Sequence, residues 1–342
     1  RVVRRFSIDN IENNPRNIVK NILFYAFIIQ GVGFLCLMPT LKMHGVEDFV
    51  FDALFLSVSA FCNAGFAVYS DSLAQFNNSV FLNAVIMALI ILGGIGFIVL
   101  QNIRQRLFGT KKHVSLHTKI VLYITAGLIL LGAAVFFMID FSHAFADLPL
   151  HGKISAAFFQ SVTPRTCGFE TIPQSSFSFT SNLFTVFLMF IGGSPASVAG
   201  GIKTTTFFIA LLYAIAGDEQ KSTVNILKRR LSAETINKSV NIIIRSVLIL
   251  FFAVLLLSIT EAEQLKNGNI GAFDLLFETV SAFGTVGLSL GLTSSLSFGG
   301  KIIIILTMFI GRTALAGMMI SLPGFEIQRK AIKYPHEDIL IG

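Results

Sequence analysis

Long apolar segments alternate with short polar ones along most of the chain. An α-helix needs about 20 apolar residues to cross the roughly 30 Å hydrocarbon core of a bilayer. Six segments meet this requirement, and the fourth of them is interrupted by glycine and proline. They lie at 21–39, 80–100, 119–140, 182–216, 241–260 and 300–320. The pattern therefore predicts an all-α polytopic membrane protein.

Three further apolar segments lie between these spans and are too short to cross a bilayer. They occupy 49–61, 152–164 and 273–283, and each runs into a turn that contains glycine. Apolar helices of about a dozen residues are typical of re-entrant segments, which enter the membrane and return to the same side. We expect three such segments.

The short segments are copies of one sequence unit. Residues 51–66 and 273–288 are identical at nine of sixteen positions, and residues 154–169 form a more diverged copy. Each unit consists of a span, a short helix, a glycine turn and a second span, and the chain contains three such units. The equivalent glycines of the three turns are Gly65, Gly168 and Gly287.

The composition predicts a lipid-facing surface. Hydrophobic residues make up 54% of the chain and charged residues only 13%, whereas soluble proteins carry about 25% charged residues. The net charge is +7, and the Lys and Arg residues are concentrated between alternate spans. By the positive-inside rule, this distribution places both termini in the cytoplasm. No basic face is interleaved with aromatics, so nucleic-acid binding is not expected. The basic segments are 1–20, 101–119, 217–245 and 322–342.

The opposite side of the membrane carries few basic residues, Arg165 among them, and many acidic ones. An acidic outer face would raise the local cation concentration at a pore mouth. The same carboxylates could simply solvate loops, and the sequence leaves both interpretations open. The acidic residues include Glu47, Asp48, Asp52, Asp274 and Glu278.

The glycine turns have the chemistry of an ion filter. Backbone carbonyls can replace the hydration shell of a cation, and glycine tolerates the conformations that point them at a common axis. The alternative, an ordinary helix C-cap, explains one glycine better than three in register. The predicted carbonyl ligands for K⁺ are Asn63, Ala64, Gly65, Thr166, Cys167, Gly168, Thr285, Val286 and Gly287.

The fourth span is broken. Residues 192–201 contain four glycines and a proline, which cannot sustain a regular helix, and irregular backbone at membrane depth must be buried in protein or line a cavity. A packing kink is the alternative. A phosphate-binding loop is excluded because Ile202 separates Gly201 from Lys203.

Arg312 lies within the last span, with apolar residues on both sides. Charges at such positions usually face a polar interior and are functional. The arginine could form an electrostatic barrier to cation flow, or it could bind loop carbonyls as a structural residue, and both roles are compatible.

Six segments resemble the Trk/Ktr/HKT superfamily of potassium transporters, and the chain is most similar to the bacterial Ktr-type membrane subunit. The resemblance covers essentially the whole sequence. It implies a pore of four pseudo-symmetric units, of which this chain shows the second, third and fourth. The segments are 59–66, 163–169, 281–288, 189–206, 308–313 and 334–342.

The resemblance assigns a region to each part of the chain. It implies a cytoplasmic linker at 1–20, a second pore repeat at 21–105, a third repeat with the broken gating helix at 106–230, a fourth at 231–325 and a cytoplasmic tail at 326–342. About one hundred residues of a first repeat are expected upstream, from the spacing of the others. The gate implied by the resemblance comprises Gly192, Gly193, Ser194, Gly200, Gly201, Lys203 and Arg312.

The resemblance implies potassium uptake across the cell membrane, and the residues leave open whether Na⁺ or H⁺ is coupled to it. It also implies a homodimer in membrane lipid and a cytoplasmic regulatory subunit of the nucleotide-binding RCK class, docked on loops 101–119 and 217–240. No cofactor is expected besides the transported ion. The three cysteines have no CxxC spacing and predict neither a zinc site nor a disulfide framework.

Two other functional classes remain as alternatives. A polytopic membrane enzyme would need paired catalytic groups at one depth, and the predicted spans contain neither two facing carboxylates nor a Ser–His pair. A non-conducting regulatory fragment is the second alternative, and only the absence of the first repeat from this sequence favours it.

Overall fold

The computed structural model describes residues 15–109, 113–216, 225–226 and 229–317. The predicted tail at 326–342 and most of the predicted linker at 1–20 lie outside these ranges. Helices account for nearly all regular structure in the described part, and one antiparallel pair of two-residue strands, Asn225–Ile226 with Arg229–Arg230, accompanies them. The prediction of an all-α fold is confirmed.

The N-terminal unit contains four helices. They are α1 (Pro15–Met43), α2 (Phe49–Phe61), α3 (Val80–Gly94) and α4 (Phe97–Leu107). The helix α2 is the first short segment and packs between α1 and α3.

The predicted span at 80–100 is not one straight helix, because α3 and α4 meet at an angle of 99°. Gly96 joins them with φ +86°, a conformation that a side chain disfavours. The next amide, of Phe97, donates to the carbonyl oxygen of Ala196 at 3.1 Å instead of continuing the helix.

The middle unit contains the broken span. Its helices are α5 (Leu116–Asp140), α6 (Leu150–Val162), α7 (Phe179–Phe190) and α8 (Thr204–Ala216). The interruption between α7 and α8 lies where the glycines predicted it. A side-chain cap at Ser115 begins α5 by accepting a hydrogen bond from the amide of Thr118.

The C-terminal unit repeats the arrangement. Its helices are α9 (Ala233–Thr260), α10 (Ala262–Lys266), α11 (Ala272–Gly284), α12 (Leu292–Ser295) and α13 (Phe298–Gly317). The short helix α11 packs against α13, α9 and α7.

The outer faces of the long helices are apolar and exposed. On α1, Phe27 is 73% and Leu35 62% exposed, as expected for side chains that face lipid rather than water. Three described helices, at 16–43, 116–140 and 233–260, are long and apolar enough to span a membrane, and the bent pair α3–α4 would count as a fourth. The chain is therefore a multi-pass membrane protein.

Candidate ion pathway

The three glycine turns lie against one another in a row. A Cβ built on Gly65 would lie 1.9 Å from the carbonyl oxygen of Cys167, and one built on Gly168 would lie 2.1 Å from that of Val286. Only glycine permits backbones to approach so closely. The turns that follow α2, α6 and α11 thus meet at one place, although they are more than a hundred residues apart in sequence.

The three turns share one backbone pattern. In each, the glycine and the residue two positions before it have positive φ, whereas the residue between them does not. Such alternation turns successive carbonyls towards the same side of the chain. Side chains disfavour a positive φ, so the pattern is a strained feature kept in all three units. The pairs are Asn63 (φ 50°) and Gly65 (72°), Thr166 (77°) and Gly168 (89°), and Thr285 (51°) and Gly287 (95°).

Hydroxyl groups bind the backbone segments that leave the turns. Ser59 donates to the carbonyl oxygen of Phe66 at 2.8 Å, and Thr163 donates to that of Phe169 at 2.6 Å. In the third turn the hydroxyl of Ser281 accepts from the amide of Gly287 at 3.2 Å. These bonds hold the two sides of each turn together, and none of them uses a carbonyl oxygen of residues 63–65, 166–168 or 285–287.

The first two turns are also joined by their side chains. The amide group of Asn63 forms a hydrogen bond of 3.3 Å with the hydroxyl of Thr166. Both residues are buried, at 7% and 1% exposure. The bond connects two different units, so it fixes the distance between neighbouring turns.

The interruption of the middle unit, residues 191–203, forms a loop directly against these turns. Its ends are closed by the amide of Gly192, which donates to the carbonyl oxygen of Ile202 at 2.9 Å. On one side, a Cβ on Gly200 would lie 2.1 Å from Oγ1 of Thr285. The loop therefore occupies the space beside the glycine turns.

The end of α3 anchors this loop. The carbonyl oxygen of Gly94 accepts from the amide of Ser194 at 2.9 Å and from its hydroxyl at 2.8 Å. A helix-terminal carbonyl has no partner within the helix and can accept both bonds. The bend between α3 and α4 places this carbonyl towards the loop.

Two cationic side chains bind successive carbonyls of the loop. Nη1 of Arg312 donates to the oxygen of Val198 at 2.5 Å, and Nζ of Lys203 donates to that of Ala199 at 2.7 Å. Within the ranges that the structure describes, the one ion pair joins Glu234 to Lys238 on α9. Lys203 and Arg312 therefore place positive charge at the loop, and neither has a carboxylate partner among the described residues.

Arg165, which the sequence assigned to the charges of the outer side, is buried in the structure. Its side chain is 8% exposed and lines a small cavity with Thr125, Gly94 and Gly193. Nη2 lies 3.5 Å from Oγ1 of Thr125, and Nε has no hydrogen-bond partner. A buried cation without a carboxylate partner among the described residues is costly. The neighbours of Arg165 in sequence, Thr163, Pro164 and Thr166, gave no signal of burial.

Two of the carboxylates that the sequence assigns to the outer face are held by hydroxyl groups. Asp52 accepts from the phenol of Tyr69 at 2.6 Å, and Glu278 accepts from Ser289 at 2.8 Å and from Thr293. Both carboxylates are 6% exposed. Burial, followed by the bond to Asp52, raises the pKa of Tyr69 well above its usual value. For these two residues the structure favours a role in fixing outer loops.

Equivalent faces of α2 and α11 differ in exposure. Phe277 and Val280 on α11 are 0% and 3% exposed, because α7, α8 and α9 cover them. The equivalent Phe55 and Val58 on α2 are 36% and 39% exposed. One side of α2, next to the glycine turns, is thus uncovered in the described part of the chain.

Re-entrant helices that end in clustered glycine turns, closed by a loop within a broken span, define a membrane transport protein rather than an enzyme. A family model described as TrkH, cation transport protein, matches residues 14–322. The chain belongs to this family of transporters.

Curated relatives agree with this assignment. The Ktr system potassium uptake protein B of Vibrio alginolyticus is 36% identical over 334 residues, which cover 96% of this chain and 71% of that protein. The Ktr system potassium uptake protein D of Bacillus subtilis is 36% identical over 95% of this chain and 72% of its own length. The potassium/sodium uptake protein NtpJ of Enterococcus hirae is 35% identical, with 94% and 71% covered.

A solved structure has the same fold. The potassium transporter TrkH from Vibrio parahaemolyticus superimposes with a TM-score of 0.69 at 18% sequence identity, covering 94% of this chain and 68% of that one. The similarity supports the polytopic, repeated helical architecture.

Proposed function

We propose that the protein mediates potassium uptake across the cell membrane through a filter built from the three glycine turns. The observation that carries the proposal is the contact of Gly65 with Cys167 and of Gly168 with Val286, in turns of identical backbone pattern. Relatives that share about 35% of the sequence are named potassium uptake proteins or a potassium/sodium uptake protein, which supports K⁺ as the cargo.

The proposed filter works through peptide oxygens. Carbonyl dipoles bind a dehydrated cation without titrating and weakly enough to release it. The short helices α2, α6 and α11 end at the turns, and the C-terminal end of a helix carries partial negative charge. The proposed ligands are the carbonyls of Asn63, Ala64, Gly65, Thr166, Cys167, Gly168, Thr285, Val286 and Gly287.

The loop 191–203 is the proposed gate. It packs against the turns at Gly200, and it is anchored at Gly94 on one side and at Arg312 on the other. The positive charges of Lys203 and Arg312 would repel a cation while the loop stays in place. Movement of the loop would remove both the steric and the electrostatic obstacle.

A fourth unit completes the proposed filter. The exposed face of α2 carries the same residues as the covered face of α11, so it fits the helices of a further span–short helix–span unit. That unit belongs either to the same polypeptide or to a separate chain. Intact-mass measurement of the protein purified from its native membrane should show about one hundred further residues or a companion chain. A native mass that matches the three units alone would contradict this part.

Orientation and partners follow from the charge pattern and the family. We propose that both termini face the cytoplasm, that the protein is a homodimer in the membrane, and that an RCK-type nucleotide-binding subunit docks on its basic cytoplasmic loops. The proposed docking surface is 101–119 and 217–240, of which residues 110–112, 217–224 and 227–228 lie outside the described residues.

Growth rescue tests the function. Cells that lack their own potassium uptake systems should grow at low external K⁺ when they express the protein as its gene encodes it, and they should take up Rb⁺. Deletion of residues 192–201 should greatly increase the flux. A folded protein that gives no rescue would overturn the proposal, and unchanged flux after the deletion would remove the gate assignment. Uptake of ²²Na⁺ in the same cells determines whether sodium is carried as well.

A further inference from the structure

The helix α4 ends in basic and large apolar side chains that lie side by side on the surface. Arg104 and Arg106 are exposed, and the adjacent Leu107 and Phe108 are 76% and 77% exposed. This combination is typical of helices that lie in the membrane interface, where cations meet headgroups and apolar side chains enter the acyl boundary. The end of α4 therefore has the composition of an interfacial segment.

The position of α4 agrees with this composition. It leaves α3 at an angle of 99°, so it runs across the direction of that span. The guanidinium group of Arg104 lies 5.6 Å from the ring centre of Phe24 and 6.0 Å from that of Tyr25, near the beginning of α1. Val99 packs with Val121, near the beginning of α5. Because α4 contacts the beginnings of two membrane-spanning helices, it lies at one surface of the membrane.

The positive charge of this surface has no acidic counterpart nearby in sequence. No Asp or Glu occurs at 72–139, and neither Arg104 nor Arg106 forms an ion pair with a described residue. Lys20 and Lys119, which are also exposed near the beginnings of α1 and α5, add to the charge. Anionic headgroups attract clusters of Lys and Arg, and guanidinium groups bind phosphate oxygens. An anionic phospholipid has the complementary charge and the right location.

The other end of α4 is attached to the loop 191–203. The amide of Phe97, the first residue of α4, donates to the carbonyl oxygen of Ala196 at 3.1 Å. A Cβ on Gly96 would lie 2.6 Å from the carbonyl oxygen of Pro195. Both contacts involve the backbone, so α4 cannot shift without changing its contacts with the loop. One helix of eleven residues thus connects the membrane surface to the proposed gate.

We propose that residues 104–108 bind the headgroup of an anionic phospholipid, and that the bound lipid holds α4 and the loop in the arrangement that the structure shows. The lipid is then a regulatory ligand of transport. Its effect on flux rests on the proposed function, whereas its binding does not. The segment overlaps the surface 101–119 proposed for the regulatory subunit, and the exposed Leu107 and Phe108 beside the arginines favour a lipid occupant.

The test uses the purified protein as its gene encodes it, without a regulatory subunit. It is reconstituted in vesicles of phosphatidylcholine alone or of phosphatidylcholine with phosphatidylglycerol. Uptake of ⁸⁶Rb⁺ by the wild type should be several-fold slower in the anionic vesicles, because the lipid holds the loop. The double variant Arg104→Gln with Arg106→Gln should remove this difference, whereas R104K/R106K, which keeps the charge, should retain it.

A second double variant controls for the loss of two charges. Lys266→Gln with Lys301→Gln alters two exposed lysines beyond the far end of α9, and it should keep the wild-type difference between the vesicles. Lipid binding is measured separately by native mass spectrometry, in which phosphatidylglycerol should stay bound to the wild type and to K266Q/K301Q but be lost from R104Q/R106Q.

The outcomes separate the claims. Equal retention of phosphatidylglycerol by the wild type and R104Q/R106Q would overturn the lipid site. An effect of R104Q/R106Q on uptake that appears only when the regulatory subunit is added would overturn it too, because the arginines would then dock that protein. Faster uptake by the wild type in anionic vesicles would contradict the holding of the loop. Absence of uptake in both kinds of vesicle would count against the proposed function, while the binding measurement still decides the lipid site.

Discussion

Arg312 donates from Nη1 to the carbonyl oxygen of Val198 at 2.5 Å, across 114 positions of sequence. This bond joins the last helix of the C-terminal unit to the interrupting loop of the middle unit. The bond agrees with the structural role considered for Arg312 from the sequence, because the side chain binds a loop carbonyl. The role of electrostatic barrier to cation flow stays a prediction.

Replacement of Arg312 by Gln should increase the rate of uptake. A hydrogen bond from a charged group contributes about 1.5–3 kcal/mol, so its loss should favour displacement of the loop by roughly 10- to 100-fold. The measurement is initial ⁸⁶Rb⁺ uptake normalised to the amount of protein in the membrane. Arg245→Gln, which alters an exposed arginine on α9, is the matched control, and equal uptake by both variants would contradict the assigned contact.

Replacement of Ser194 by Ala should also increase the rate of uptake, but by less than the replacement of Arg312. Its hydroxyl binds the carbonyl oxygen of Gly94 at 2.8 Å, and a neutral hydrogen bond contributes about 0.5–1.5 kcal/mol. Ser197→Ala serves as comparison, since Ser197 bonds to Ser194 within the loop and not to α3. If S197A raised uptake more than S194A, the anchor at α3 would not be what holds the loop.

Replacement of Gly168 by Ala should abolish uptake. The new Cβ would combine a positive φ of 89° with a contact of 2.1 Å to the backbone oxygen of Val286, which cannot move without displacing the next turn. Gly268 provides the control, because its φ is +71° and nothing lies within 4 Å of its position. G268A thus carries the conformational strain alone, about 1–2 kcal/mol, and should retain uptake.

The free energy of unfolding should depend on pH because of Glu170. It lies in the segment that leads out of the second turn towards α7, and burial raises the pKa of its carboxyl from 4.5 to about 7. Between these values the unfolded chain loses the proton that the folded protein keeps, so the free energy of unfolding falls as pH rises.

The variant Glu170→Gln removes this titration. The thermal midpoints of E170Q and the wild type in detergent should stay a constant distance apart below about pH 4.5, and E170Q should become progressively more stable relative to the wild type up to about pH 7. A difference that does not change with pH would show that Glu170 titrates normally in the folded state.

Much of the architecture could be predicted because it is repeated. The nine identical positions of 51–66 and 273–288 indicate two equivalent short helices, and α2 and α11 lie at these positions. The four glycines and the proline of 192–201 indicate the break between α7 and α8. These features depend on local composition and on span length, which the sequence states directly.

Other features depend on contacts between distant segments and could not be predicted. The bend after α3 depends on the hydrogen bond from the amide of Phe97 to the carbonyl oxygen of Ala196. The sequence around residue 96 does not indicate a partner about a hundred residues away. The positive φ of Asn63, Thr166 and Thr285 is imposed by the meeting of the turns, since none of these residues is a glycine. The burial of Arg165 likewise depends on α3, α5 and the loop.

The most direct test of the account is to locate a bound cation. Crystals or frozen specimens of the protein prepared in Rb⁺ or Tl⁺ should show the ion between the carbonyl oxygens of the turns at Gly65, Gly168 and Gly287, by anomalous scattering or by density. An ion at that constriction is the predicted result. Turns that hold no ion under conditions of active uptake, with the ion bound elsewhere in the membrane region, would contradict the filter.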